Sequence, residues 1–242
     1  MKNIWTIAKR EYRTFFDSLV AYILLVAFLG FVGFMTWIFT RSNVFFSQQA
    51  TLAPFFSIAK LAILFFSPAL TMRMIAEEKR TGTLEVLLTR AVSDGQVVAG
   101  KYLACMMLIG TALLCTLPYY FTVSWLGPVD HGAVWCGYLG TLLLSSVFVS
   151  IGLFASSISN NQIVAFLVAL LIGFCFYLLF DLVAEVLPES LANVIRFFSA
   201  SAHYESMARG VIDSRDVIFF ASVSLLGLIL AEVQLAKRNI VA

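Results

Sequence analysis

An uncharged apolar run of 22 residues, Leu19 to Thr40, constrains the fold of this chain more than any other sequence feature. The hydrocarbon core of a bilayer is about 30 Å thick, and a helix of about 20 apolar residues can cross it. The 18 residues before the run form a longer segment than the short basic region at the start of a cleavable signal peptide, so we do not interpret the run as one. We therefore expect a membrane-spanning helix at this position.

Apolar segments of similar length recur along the rest of the chain. Apolar residues make up 61% of the sequence and charged residues only 12%, about half the charged share of a soluble domain. The predicted spans are Leu19–Thr40, Phe56–Ala76, Lys101–Val123, Val134–Ser156, Gln162–Phe180 and Val217–Leu235. Since no soluble domain fits between them, residues 1–242 are expected to form a single all-α, polytopic transmembrane domain with six membrane-spanning helices.

The distribution of Lys and Arg predicts how these spans are oriented. With the N-terminus inside, eleven of the sixteen Lys and Arg fall in inner segments and five fall in outer segments. The positive-inside rule therefore predicts that both termini are cytoplasmic. The two longest connections are then residues 77–100 on the inside and residues 181–216 on the outside.

Residues 1–18 are predicted to form an amphipathic helix at the membrane surface. The apolar residues at helical spacing are Ile4, Ala8, Tyr12, Phe15 and Phe16. Lys9, Arg10 and Arg13 occupy the opposite side, where they would face anionic lipid head groups. The alternative is that this segment only extends the first span into water.

The segment GQVVAGK, Gly95 to Lys101, matches the G-x-x-x-x-G-K part of a phosphate-binding loop. Tyr102 stands where such a loop needs Ser or Thr to hold magnesium, and no β-patterned strand precedes it. Ser93 and Gln96 instead fit a helix-capping box, S-x-x-Q, which favours a helix that continues into the third span. Helical backbone cannot wrap a phosphate, and Lys101 is then interpreted as a snorkelling residue at the cytoplasmic boundary.

The inner connection contains a second predicted amphipathic helix. Gly82 interrupts the chain, and Thr83 can cap a helix that begins there. The apolar stripe that follows at i, i+3 and i+4 consists of Leu84, Leu87 and Leu88. Such a helix can lie on the lipid surface, or it can dock into a groove of a cytoplasmic partner.

The stretch EEKRTGTLEVLLTRAVSDGQVVAGKYLA, residues 77–104, resembles the signature of permease subunits of type-2 ABC exporters. The segments PFFSIAKLAILFFSPALTMRMIAEEK and HYESMARGVIDSRDVIFF are similar to the gliding-motility-associated branch of that family. The resemblance covers nearly the whole chain. One departure is Ala91, which stands where such permeases often have Pro.

This resemblance implies a permease subunit of an ATP-driven exporter, with a substrate pathway at a dimer interface. It implies an N-terminal interfacial helix, a coupling helix between spans two and three, and short re-entrant outer helices between spans five and six. The residues expected to carry the motion of the ATPase are Glu77, Glu78, Thr83, Leu84, Leu87 and Leu88. The expected location is the bacterial inner membrane, which the chain would cross several times.

The partners that the resemblance implies are a cytoplasmic ABC ATPase and a second permease copy or a homologous permease. Membrane lipids and an accessory subunit of the periplasm or membrane are further expected partners. ATP and Mg²⁺ would bind to the ATPase, so no enzymatic activity and no cofactor are expected on this chain. With a net charge of +2, nucleic acid is not an expected partner.

The outer connection, residues 181–216, is predicted to contain a short helix after Pro188. The apolar residues at helical spacing there are Leu191, Val194, Ile195 and Phe198. In permeases of the resembled kind, such helices re-enter the outer leaflet and shape an external gate, and Phe197 and Phe198 are the candidates to close it. The alternative is an interfacial cap without a gating role.

The sequence contains no set of residues that indicates a catalytic or metal site. His203 and Glu205 form an H-x-E pair, but His131 is the only other histidine. Glu205 and Arg209 are predicted to form an ion pair along a helix. The spans contain almost no ionisable residues at their centres, which argues against a proton-driven carrier and an intramembrane hydrolase.

Polar groups at membrane depth are mostly hydroxyls. They are Ser67, Thr71, Ser145, Ser146 and Ser150, which are expected to bond to the backbone or to neighbouring helices. The four cysteines, Cys105, Cys115, Cys136 and Cys175, are interpreted as small apolar residues. A non-transporting membrane anchor or regulator of an ATPase or of an envelope machine is the alternative function, because the inner connection would serve it equally well.

Overall fold

A computed structural model describes residues 2–39, 51–82 and 93–237 of the chain. Within these ranges all regular structure is helical. The helices are α1 Lys2–Asp17, α2 Leu19–Phe34, α3 Ala53–Thr71, α4 Ala76–Thr81, α5 Asp94–Leu114, α6 Leu117–Leu126, α7 His131–Ile158, α8 Gln162–Phe174, α9 Phe180–Val186, α10 Glu189–Arg196, α11 Ala200–Ala208 and α12 Ser214–Ala236. Two π-helical segments, Met35–Phe39 and Cys175–Leu179, extend α2 and join α8 to α9.

Six helical stretches of the described chain are long and apolar enough to cross a membrane. They are Leu19–Phe39, Ala53–Thr81, Asp94–Leu126, His131–Ile158, Gln162–Val186 and Ser214–Ala236. The six predicted spans are therefore confirmed in number and position. The fifth is longer than predicted, because the helix continues from Phe180 through α9 to Val186.

Polar side chains define where several helices begin. Each of the following residues precedes a helix and accepts a hydrogen bond from a backbone N–H of its first turn: Ser93, Asp130, Asn161, Ser199 and Asp213. The third span is interrupted after Leu114, and Pro118 lies in the first turn of α6. Since proline has no N–H to donate, this is a position in a helix that it tolerates.

Helix α7 lies at the centre of the bundle. Of its most apolar part, 78% is buried within the protein, against 17% for the fifth span. Ser146 Oγ lies 2.8 Å from Ser224 Oγ of α12, and Thr141 Oγ1 lies 3.1 Å from the hydroxyl of Tyr204 in α11. Hydroxyl groups therefore join the central helix to its neighbours.

Other hydroxyls bond back to the helix that carries them. Thr71, Ser145 and Ser150 donate to the carbonyls of Ser67, Thr141 and Val147 respectively. These contacts confirm the predicted role of the hydroxyls at membrane depth. Ser67 differs, since its buried hydroxyl has no hydrogen-bond partner among the described residues.

Helix α1 packs along α5 with its apolar stripe against the protein. Ala8 and Phe15 are buried, whereas Lys9, Arg10 and Arg13 are exposed. A Cβ atom on Gly100 of α5 would lie 2.6 Å from Ile7 Cγ2, so only glycine permits this approach of the two helices. The amphipathic N-terminal helix is thus confirmed as a helix, and its position at the membrane surface stays a prediction.

Candidate functional site

The site predicted to receive the ATPase begins at α4, the six-residue helix that follows the second span. The N-terminus of α4 is capped by a residue from another helix. The hydroxyl of the buried Ser156, near the end of α7, accepts hydrogen bonds from the N–H groups of Ile75 (3.1 Å) and Ala76 (3.0 Å). The same hydroxyl donates to the carbonyl of Met72 at 3.1 Å. The central helix therefore holds the chain at the point where it turns from α3 into α4.

The side chains of α4 make two further attachments. Lys79 donates a hydrogen bond to the carbonyl of Ser157 at the end of α7. Glu78 accepts one from Lys101 of α5, with 2.6 Å between Oε1 and Nζ. Helix α4 is thus tied to both the third and the fourth spans.

Lys101 is the centre of an ion cluster that joins three helices. Its ammonium lies 2.6 Å from Glu78 Oε1 and 3.7 Å from Glu11 Oε1 of α1, and its side chain is only 1% exposed. The predicted snorkelling of Lys101 is therefore wrong. A charge this deeply buried needs partners to offset the loss of hydration, and the two carboxylates provide them.

Gly82 ends α4 with a left-handed backbone, φ 70°, which glycine adopts without strain. The predicted coupling residues Thr83, Leu84, Leu87 and Leu88 lie outside the described residues, as does Ala91. The description resumes at Ser93, which caps α5 by accepting from the N–H of Gln96 at 3.3 Å. The Glu78–Lys101 pair therefore links the helices on either side of the undescribed residues.

The other predicted coupling residue, Glu77, lines a cleft beside this cluster. The cleft has a volume of about 400 Å³ and lies between α1, the turn after α3, α4 and α5. Among the described residues the Glu77 carboxylate has no ion-pair partner. Its proposed part in coupling stays a prediction.

The residues that match a phosphate-binding loop are part of α5. Gly95 to Lys101 are helical, as the capping-box interpretation predicts. Only half of the box forms: Ser93 accepts from Gln96, but Gln96 Oε1 accepts from Asn3 Nδ2 of α1 at 3.3 Å. The second contact of Gln96 therefore serves the attachment of α1 to α5.

A second cluster lies at the opposite end of the bundle, in the predicted outer connection. Helices α10 and α11 occupy this connection, and their predicted re-entry into the outer leaflet stays a prediction. His203 of α11 lies 2.6 Å from the buried Asp216 Oδ1 at the start of α12, and its Nε2 lies 2.9 Å from the carbonyl of Phe197. The imidazole also stacks on the ring of Phe219, with 4.2 Å between centroids. His203 of α11 thus contacts the end of α10 and the start of α12, where the three helices meet.

The two gate candidates are close to this histidine. Phe197 and Phe198 are 54% and 50% exposed, so neither is part of the core. Phe197 contacts the rings of His203 and Phe219, and Phe198 contacts Phe180 at the start of α9. Their role in closing an outer gate stays a prediction.

The predicted Glu205–Arg209 ion pair is wrong. Glu205 instead lies 3.0 Å from Lys60 Nζ of the second span, and Lys60 also donates to Ser201 Oγ at 2.9 Å. Lys60, which is distant in the sequence, is therefore closer to Glu205 than Arg209, the predicted partner on the same helix. Lys60 therefore joins the second span to the outer connection.

Tyr204 completes the attachment of α11 to the bundle. Its hydroxyl donates to the carbonyl of Phe56 at 2.9 Å, and its side chain is only 1% exposed. Burial raises the pKa of this hydroxyl, so it stays protonated and able to donate. In the described part of the chain no group of three or more His, Cys, Asp or Glu side chains could hold a metal ion.

Comparisons with known proteins identify the family of this chain. Residues 36–231 match the model of the ABC-2 family of transporter proteins. The chain is 31% identical over 193 residues to the probable ABC transporter permease protein NosY of Pseudomonas aeruginosa, covering 75% of this chain and 70% of that protein. It is 28% identical over 197 residues to the probable NosY permease of Stutzerimonas stutzeri, covering 76% of this chain and 70% of that protein.

The family match extends from the end of the first span to the last turns of the sixth. It therefore includes α4 with its attachments to α5 and α7 and the junction around His203, whereas Glu11 of the Lys101 cluster lies outside it. The chain, whose described residues include six helices able to span a membrane, belongs to the ABC-2 family and is a permease subunit of an ABC transporter.

Proposed function

We propose that this chain is the membrane subunit of an ATP-driven exporter and that residues 76–88 carry the motion of a cytoplasmic ATPase into the bundle. Two permease copies, or this chain and a homologous permease, would form the substrate pathway between them. ATP and Mg²⁺ would bind to the ATPase. Two finer predictions depend on the same proposal. One is that the chain belongs to the gliding-motility-associated branch of the family, and the other is that an accessory subunit binds to the complex.

The attachment of α4 is the observation that carries this proposal. A helix of six residues cannot transmit force unless it is fixed to something, and α4 is fixed at three points. They are the Ser156 cap, the Lys79 contact with Ser157 and the Glu78–Lys101 pair. A push on the residues that follow Gly82 would therefore reach the third and fourth spans directly.

The stripe Leu84, Leu87 and Leu88 is the proposed docking surface for the ATPase. We expect Leu87→Asp to abolish co-purification of the ATPase, because the charge must be desolvated where an apolar side chain was buried, a loss worth roughly 1.5–3 kcal/mol for the Leu alone. The measurement is recovery of the ATPase that co-purifies with the wild-type chain, normalised to the amount of inserted permease.

Val86→Asp is the matched control, since position 86 falls on the opposite face of a helix that contains the stripe. It should leave recovery of the ATPase unchanged. Equal recovery with Leu87→Asp and the wild type would remove the stripe from the coupling interface. If a reconstituted complex binds the ATPase normally but exports no candidate substrate, a non-transporting anchor or regulator is favoured instead.

The charge distribution predicts that α4 is cytoplasmic and α10 is outside. In a cysteine-free background, Arg80→Cys and Asn193→Cys place one exposed thiol at each end of the bundle. An impermeant maleimide applied to intact cells is expected to label Asn193→Cys, and Arg80→Cys only after the inner membrane is opened. The reverse order of labelling would invert the topology and place the coupling segment on the wrong side for an ATPase.

A further inference from the structure

An apolar groove lies along the seam between the first two spans, near the cleft around Glu77. The groove has a volume of about 340 Å³ and is lined only by apolar residues of α2 and α3. Six of them are Leu24, Ala27, Phe31, Ala62, Phe65 and Ala69. Ala27 and Phe65 are exposed, so the groove is open at the outer surface of the helical bundle.

The cleft and the groove are close to each other along the bundle. Ser18 lines the cleft and Leu24 lines the groove, while on the facing helix Arg73 lines the cleft and Ala69 the groove. At 1.5 Å per residue, these separations correspond to roughly 6–9 Å. One amphiphile can therefore occupy both, with a polar end in the cleft and an acyl chain in the groove.

Arg73 provides a cation at the mouth of the cleft. Its guanidinium lies 5.5 Å from the centroid of the buried Phe15 ring, and its Nη2 donates a long hydrogen bond of 3.4 Å to Ser18 Oγ. Among the described residues no carboxylate forms an ion pair with it. The guanidinium is thus held in place without its charge being matched, which suits the oxygens of a phosphate.

The charges of the cleft select among phospholipid head groups. Lys101 is paired with Glu78 and Glu11, so among the charged groups that line the cleft Arg73 and Glu77 are the two without an ion partner in the described chain. An anionic head group would meet Arg73 but would be repelled by Glu77. A zwitterionic head group with a primary ammonium would pair its phosphate with Arg73 and its ammonium with Glu77. A choline head group has no N–H to donate to Glu77.

We propose that this seam binds one phospholipid with a phosphoethanolamine head group, whose phosphate contacts Arg73, whose ammonium contacts Glu77 and whose acyl chain lies between α2 and α3. The lipid comes from the leaflet on the α4 side of the bundle, which the charge distribution predicts to be the cytoplasmic one. The site does not depend on the direction of transport or on the substrate. It places a lipid between α1 and the attached helix α4.

The test is retention of lipid by the full-length chain. The protein is reconstituted with equal amounts of phosphatidylethanolamine, phosphatidylcholine and phosphatidylglycerol, extracted gently and examined by native mass spectrometry. We expect retention of one phosphatidylethanolamine about tenfold above either competitor, the factor that one charge-assisted hydrogen bond supplies. Arg73→Ala should lower that retention about tenfold, and Arg73→Lys, which keeps the charge, should restore most of it.

Two further variants separate the polar and the apolar parts of the site. Glu77→Gln should remove the preference for phosphatidylethanolamine over phosphatidylcholine, because the ammonium loses its acceptor. Ala27→Phe should fill the groove from its open side and lower the retention of all three lipids. Arg13→Ala removes an exposed arginine of α1 outside the cleft and should retain lipid as the wild type does.

Two outcomes would overturn the proposal. The first is equal lipid retention by the wild type, Arg73→Ala and Ala27→Phe, or a preference for phosphatidylglycerol. The second is a disulfide between two copies of an Ala27→Cys variant in the native membrane, since a second copy would then cover the groove. Each variant should elute from gel filtration at the same volume as the wild type, which shows that a loss of lipid does not follow from unfolding.

Discussion

Lys101→Met is expected to lower the free energy of unfolding by about 3 kcal/mol, because it leaves the half-buried Glu78 carboxylate without a cation, whereas Glu11 keeps Arg10 at 2.6 Å. Methionine keeps most of the volume of the lysine side chain, so little of the effect can come from a cavity. Unfolding can be followed in detergent by the reaction of Cys105, which is fully buried one helical turn from Lys101, in a background without the other three cysteines.

The second half of this experiment is a double-mutant cycle. Glu78→Gln should be milder, because Lys101 keeps Glu11 as a partner at 3.7 Å. The double variant Lys101→Met/Glu78→Gln should be more stable than Lys101→Met alone, since it removes the carboxylate charge that Lys101→Met leaves uncompensated. Lys9→Met, at an exposed position of α1, should change stability by less than about 0.5 kcal/mol. If the losses in free energy of unfolding are additive in the cycle, the interaction between Lys101 and Glu78 contributes nothing to stability.

The same cluster shows what sequence reasoning could and could not provide. Lys101 follows a glycine at the start of a predicted span, and such a residue usually extends its ammonium to the membrane surface. The partners that keep it buried are 23 and 90 positions away in the chain. No local sequence pattern indicates contacts between residues so far apart in the chain. The predicted snorkelling of Lys101 was therefore wrong because of the tertiary packing of α1 and α4.

Local patterns succeeded where the cause was local. The six spans follow from apolar runs, and the start of α5 follows from Ser93 and its contact with Gln96. The failure at Glu205 has the same origin as the failure at Lys101. A helical spacing of four suggested Arg209, whereas the fold brings Lys60 to Glu205 from 145 positions away. The two clusters at the ends of the bundle were therefore visible only in three dimensions.

The attachment of α1 to α5 is the remaining feature that the sequence left undecided, and the close approach of the two helices requires glycine at position 100. We expect Gly100→Ala to lower the free energy of unfolding, although alanine is the better helix former by about 1 kcal/mol. The new Cβ would lie 2.6 Å from Ile7 Cγ2, 2.8 Å from Ile7 Cβ and 3.3 Å from the carbonyl oxygen of Ile4. Because Ile7 Cβ and the Ile4 carbonyl move only with the backbone, rotating a side chain cannot relieve this contact.

Gly110 of the same helix is the matched control, since a Cβ there would meet nothing within 4 Å. Overpacking costs about 1–3 kcal/mol, so the two substitutions should have opposite signs: Gly100→Ala destabilising and Gly110→Ala neutral or stabilising. In a cysteine-free background, Ala8→Cys places a thiol at a fully buried position of α1. Its maleimide labelling should accelerate when Gly100→Ala is added and stay slow when Gly110→Ala is added. Slow labelling in both backgrounds would mean that α1 stays docked on α5 without the close approach at Gly100.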